Sequence, residues 1–233
     1  MPQKKRTKKQ KEAAKLCGEN KLYRLEEAVE ILKSLPKAKF DETVELSMNL
    51  NLDPKDPGQI VRGTAILPHG IGKKVRVIVF CKGEDIEHAK REGADYIGND
   101  DFIKKIIDGW CDFDVAISTP EMMKDIARLG RVLGPRGMMP NPKTGTVTNE
   151  IAKTVKEIKA GKIEFKMDKQ SGLHVGAGKL SFEKTALCEN VKKLISAIFS
   201  SNGNLNKPQT VKSISLSTTM GPGLKLEISE FRK

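Results

Sequence analysis

The chain has 233 residues, 38% hydrophobic and 31% charged, with 42 basic against 30 acidic groups and a net charge of +12. That is one large domain or two small ones with enough apolar material for a core, which argues against wholesale disorder. No apolar run approaches the roughly 18 residues that cross a bilayer, and the start MPQKKRTKKQKEAAK is too polar for a signal peptide, so a cytosolic chain is the expectation.

In chain order, residues 1–15 carry seven basic groups and one acid and read as a flexible basic arm. Apolar residues then recur at Leu25, Ala28, Val29, Ile31, Leu32 and Leu35, which predicts a helix over Leu22–Leu35 closed by Pro36. Val44, Leu46, Met48, Leu50 and Leu52 alternate with polar residues as in a strand with one wet face. From Pro68 the pattern turns to alternating strands and helices: strands at Val75–Phe80, Ala94–Ile97 and Phe113–Ser118, helices near Asp85–Glu92, after Asp100 and from Pro120. Past Gly161 the alternation stops. Lys162–Met167 and Leu173–Val175 read as paired strands, Phe182–Phe199 as a long amphipathic helix, and Val211–Thr219 with Leu224–Ile228 as a hairpin.

Charge follows the same divisions. Residues 16–67 hold seven basic and nine acidic groups, residues 68–160 hold 16 and 14, and residues 161–233 hold twelve and six. Shared grammar and charge at the two ends imply an α+β domain built from residues 1–67 and 161–233. Residues 68–160 would then be an inserted α/β domain, Rossmann-like with a parallel sheet, whose two chain crossings form a hinge at Leu67, Pro68, Ala160 and Gly161. Three sequential segments are the alternative, weaker because the first offers little core of its own. The basic excess points to a polyanionic partner through counterion release, with a merely soluble basic protein, acidic substrates and anionic membranes also open.

Catalytic and metal chemistry leave no clear trace. Cys17, Cys81, Cys111 and Cys188 form no CxxC, and His69, His88 and His174 form no HExxH, so buried reduced thiols are expected in place of zinc or disulfides. Gly70-Ile71-Gly72 precedes a strand and lacks the third glycine of a dinucleotide fingerprint; Gly176-Ala177-Gly178-Lys179 fails as a P-loop. Asp112 and Asp114 read as solvated strand-end carboxylates. The Pro/Gly-rich run Gly130–Pro142, with Arg131, Arg136 and Lys143, is either a phosphate-contacting loop or a stiff connection. Ser215, Ser217, Thr218 and Thr219 precede an apolar Met220 and two glycines. This run suits contact with ribose hydroxyls and sugar-phosphate backbone, or equally a polar edge hairpin.

Several long motifs in order carry a resemblance. Val61-Arg62-Gly63-Thr64 with Leu67-Pro68-His69-Gly70, the run Leu133–Pro142 containing LGPRG and leading into MPNPKTGTV, and Ser217-Thr218-Thr219-Met220-Gly221-Pro222-Gly223 together resemble the bacterial ribosomal protein L-one family. Gly93-Ala94-Asp95-Tyr96 and Asp108-Gly109-Trp110 fit as well. The resemblance implies a non-enzymatic protein of the large subunit's mobile side stalk. It would bind large-subunit (23S-type) rRNA, repress translation by binding its own operon mRNA, and assist release of deacylated tRNA from the exit site. It implies no cofactor, metal, membrane or small-molecule substrate. By position, the family's RNA contacts fall on Lys39, Phe40, Glu42, Thr43, His174, Ser213, Thr219, Met220 and Gly221, with Lys169 supplying neighbouring charge. The competing readings are a nucleotide-dependent enzyme in the α/β domain and a double-stranded DNA binder.

Overall fold

The computed structural model describes residues 17, 21–56, 58–81, 85–98, 100–206 and 209–231. The basic arm of residues 1–15 lies outside them. The chain forms two compact units: one takes the described residues up to Gly72 and from Ile163 onward, the other is Lys73–Lys162. The division falls at Gly72–Lys73 and Lys162–Ile163, further along the chain in both cases than Leu67–Pro68 and Ala160–Gly161.

The first unit begins with β1 (Leu22–Tyr23) and α1 (Leu25–Ser34). The helix is thus shorter than its apolar spacing predicts. Leu22 and Tyr23 pair in parallel with Lys225 and Leu226 near the other end of the chain, and the first helical N–H, that of Leu25, donates to the Glu230 carboxylate at 3.1 Å. Both partners lie some 200 residues away, so local pattern reading does not see them. At the far end Leu35 is extended, as the residue before Pro36 must be, and the helix stops.

A five-stranded sheet follows. Its strands are β2 (Thr43–Leu50), β8 (Gly172–Lys179), β9 (Val211–Thr218) and β10 (Leu224–Leu226) with β1, in the order β1-β10-β9-β2-β8. Val44, Leu46, Met48 and Leu50 of β2 are buried with Leu173, Val175, Ala177, Ile214 and Leu216. Against that inner face pack α1 and the long helix α7 (Lys184–Ser201), through Leu187, Val191, Leu194, Ile195 and Ile198. The period-two alternation of the sheet strands is what separates a dry face from a wet one. Two short strands, β3 (Arg62–Ile66) and β7 (Lys162–Lys166), make a separate two-stranded sheet. This differs from the predicted pairing of the Lys162–Met167 and Leu173–Val175 strands: β7 takes β3 and β8 takes β2. Asp168 still closes the intervening turn, accepting from the N–H groups of Gln170 and Gly172 at 2.8 and 2.7 Å.

In the second unit β4 (Val77–Phe80) is the centre of a three-stranded parallel sheet, flanked by β5 (Tyr96–Gly98) and β6 (Val115–Ser118). Every residue of β4 is buried, because helices cover both faces; this is the origin of its continuous apolar run. Ile78 and Phe80 face α3 (Asp100–Ile107) and the helical stretch α4 (Met123–Ile126) to α5 (Gly130–Leu133). Val77 and Val79 face α2 (Asp85–Arg91) and α6 (Ile151–Lys159). The Gly130–Pro142 run begins as helix, so Gly130 sits in a regular element and the run becomes irregular from Gly134 onward. Four cysteines are free thiols, and burial pushes that of Cys81 up to about 11, leaving it protonated and inert at neutral pH.

Candidate nucleic-acid interface

The outer face of the five-stranded sheet is a floor of small polar side chains. On β2 it carries Thr43, Glu45, Ser47 and Asn49. The register sets Ser47 between His174 of β8 and Ser215 of β9, Glu45 between Gly176 and Ser217, and Asn49 between Gly172 and Ser213. Lys225 of β10 continues the Ser47 row beyond Ser215. Small hydroxyl and glycine rows leave the floor low enough for a ribose-phosphate chain to approach the backbone.

At one end of the floor stands an apolar rim. Phe40 is 54% exposed and Met220 71% exposed, unusual values for large apolar side chains. Glu42 is what holds them. Its side chain is only 3% exposed, one carboxylate oxygen accepts the Ala38 N–H at 2.8 Å, and the other accepts the Met220 N–H at 3.1 Å. One buried anion therefore ties the segment after α1 to the tip of the β9–β10 hairpin. The outer side of the same loop is fixed by Asp41, whose carboxylate accepts from the Ser181 hydroxyl at 2.7 Å.

The structure brings Lys39, Phe40, Glu42, Thr43, Thr219, Met220 and Gly221 to this corner and places His174 and Ser213 along the floor. Lys169 is exposed in the turn before β8. The hydroxyls differ in what they have left to offer. Thr219 Oγ1 accepts the Thr43 N–H at 3.0 Å and leans on the Thr43 carbonyl at 3.4 Å, so it retains little beyond one lone pair. Thr43 Oγ1 accepts from Lys179 at 2.9 Å. Thr218, one of the four hydroxyls preceding Met220 in sequence, faces inward and is 6% exposed. Ser213 and Ser217 lie on the open side of β9.

His174 is held from two directions. Its Nδ1 lies 3.0 Å from Ser47 Oγ and its Nε2 lies 4.0 Å from the Asp168 carboxylate. The backbone N–H of Gly172, then that of Gln170, hold the Asp168 carboxyl below the usual carboxylate range, and the His174 ring adds to this. Ser215 and Ser217, part of the hydroxyl run before Met220, lie on this face, and Ser47, Asn49, Lys179 and Lys225 complete it without a motif that marks them. The signal for Ser47 and Asn49 is the alternation of β2, whose polar positions share one side.

Gly221 closes the corner. A Cβ there would sit 2.4 Å from Thr218 Oγ1, an overlap that the buried Thr218 cannot relieve without shifting the hairpin. Gly221→Ala is expected to lower stability by about 1–3 kcal/mol, the usual cost of overpacking. Urea unfolding checks this, and an unchanged midpoint would show that the hairpin yields freely.

A wet, hydroxyl-rich sheet face rimmed by exposed Phe and Met has the make-up of a backbone-reading nucleic-acid surface on a mixed α/β scaffold. The Ribosomal protein L1p/L10e family model matches residues 32–222. The large ribosomal subunit protein uL1 of Protochlamydia amoebophila is 46% identical over 224 residues, covering 96% of this chain and 95% of that protein. The chain belongs to the ribosomal protein L1p/L10e family.

Proposed function

We propose that this protein binds large-subunit ribosomal RNA through the outer sheet face of its first unit, as a stalk protein of the large subunit working in the cytoplasm. It acts by binding and without catalysis. The carrying observation is the pairing of a hydroxyl- and glycine-lined floor with two exposed apolar side chains that a buried Glu42 positions. Phe40 and Met220 pack on sugars or base edges, Ser213 and Ser217 exchange hydrogen bonds with 2′-hydroxyls, and Lys39, Lys169 and Lys225 meet phosphates. The resemblance supports two further roles, repression of its own operon by binding a similar mRNA structure and assistance to deacylated tRNA leaving the exit site. Met220→Asp tests the reading. The side chain is 71% exposed, so stability is expected to hold, while affinity for a large-subunit rRNA stalk fragment falls by about 5- to 150-fold, equivalent to 1–3 kcal/mol. Filter binding at fixed salt measures it, and wild-type affinity in a folded variant refutes the proposed face.

A further inference from the structure

The second unit holds 17 basic and 14 acidic residues, yet this small excess is not spread over its surface. Residues 122–149 hold five basic residues and one acidic residue, Asp125, so that stretch alone accounts for the unit's positive charge. Lys124, Arg128, Arg131, Arg136 and Lys143 are all exposed. Elsewhere in the unit seven of the described cations meet carboxylates, whereas Lys74, Lys90, Lys104 and Lys105 do not. Arg91 pairs with Glu87, Lys153 with Glu150, Lys156 with Glu92, Lys159 with Asp95 and Lys162 with Glu157. Lys73 and Arg76 share Asp114, and Arg76 also meets Asp112. Among the described residues, none of the five cations of 122–149 has a carboxylate partner.

Three of them form a stripe. From Met122 to Gly134 the backbone stays right-handed helical through α4, a 3-10 turn at Ala127–Leu129 and α5. Met122, Ile126, Leu129 and Leu133 are buried on one side. At about 100° per residue, Lys124, Arg128 and Arg131 fall within about 60° of one another on the opposite side. They span ~10 Å along the axis, the reach of two or three consecutive phosphates. Packing fixes the stripe's direction, because the helix cannot turn without exposing four core residues.

We propose that this stripe is a second nucleic-acid contact, binding the phosphate backbone of double-stranded RNA without reading sequence. The choice of RNA rests on the proposed function of the first unit; the stripe's geometry does not. It differs in kind from the sheet face: charge without hydroxyls, on a helical stretch, in the other unit.

The test uses the full chain and a mixed-sequence RNA duplex of about 20 base pairs, with affinity measured across a salt series. The triple variant Lys124→Gln, Arg128→Gln, Arg131→Gln alters only exposed side chains. It is expected to bind the duplex about tenfold more weakly at about 0.1 M salt, and to lower the slope of log K against log salt by about 2–3. An unchanged slope overturns the proposal. As a check that needs no variant, acetylation of Lys124 in the wild-type chain should slow when duplex is added while that of the ion-paired Lys153 does not; equal rates for Lys124 with and without duplex also overturn it. Met220→Asp run beside the triple variant separates the two readings, since it should spare the duplex slope and lose the stalk fragment. If Met220→Asp keeps the fragment while the triple variant loses duplex affinity, the sheet-face reading fails and the stripe stands.

Discussion

Glu42→Ala is expected to lower the unfolding free energy by about 3 kcal/mol and to remove RNA binding at concentrations where the wild type is saturated. The carboxylate is 3% exposed and accepts the backbone N–H groups of Ala38 and Met220. Hydrogen bonds to a charged acceptor contribute about 1.5–3 kcal/mol each, and alanine would leave both donors without that acceptor in a space water reaches poorly. The binding loss follows from what those donors belong to. Residues 36–42 and the 219–223 tip have no ladder of their own to hold them, and Phe40 and Met220 take their positions from them. Glu42→Gln is expected to fall between the two, because its amide oxygen still accepts one N–H while its NH2 opposes the other. Phe40→Ala supplies the contrast: the ring is 54% exposed, so binding should fall with stability intact. Far-UV dichroism in urea is the right readout, since the single tryptophan, Trp110, sits in the second unit and would report the wrong part of the molecule. A stability within about 0.5 kcal/mol of wild type would show that Glu42 does not organise the corner.

Glu42 also marks what a linear reading can reach. Its position was legible as part of an RNA-contacting motif, where a carboxylate invites a role facing the ligand, accepting from a base or orienting a lysine. The structure turns it inward. The difference lies in a partner 178 residues away, the Met220 N–H, which no local pattern contains. The wet and dry faces of β2 and β9 were readable because period two is a property of the strand alone. The partner of β7 was not, because β3 carries a mixed pattern, Arg62-Gly63-Thr64-Ala65-Ile66, in which only Ala65 is buried. Gly63 there is a packing necessity: a Cβ would meet the ring of Phe165 at 2.8 Å. Charge misled in a different way. The total of +12 is a fair sign of a polyanion, but the sheet face is built chiefly from uncharged groups, and a stripe of three exposed cations lies in the unit that carries only +3 of that charge.

The largest effect outside the interface is expected at Asn190, a residue that hydrophobic periodicity absorbs silently into the buried side of α7. Its side chain is fully buried and every part of the amide is in use. Nδ2 donates to the carbonyls of Gly70 and Ala177, both at 2.9 Å, and Oδ1 accepts the His69 N–H at 3.1 Å. One side chain on the helix thus fastens the turn after β3 to strand β8. Asn190→Leu keeps the volume and strips all three bonds, leaving three backbone groups to find new partners in a packed space. At about 1 kcal/mol or more for each, the loss should be about 3–4 kcal/mol. Asn190→Asp is expected to be worse at neutral pH, because a carboxylate would then face two carbonyl oxygens with no proton to offer either. Asn190→Ala separates the contributions: it removes the same bonds but leaves room for a water to bridge the three groups, so it should cost less than Leu despite the smaller side chain. That order, Ala milder than Leu and Leu milder than Asp, is opposite to the one hydrophobic burial alone would give for Ala and Leu. Urea midpoints for the three variants decide it. If Leu proves as stable as the wild type, the turn after β3 is held by its apolar contacts, chiefly the buried Leu67, and the amide is dispensable.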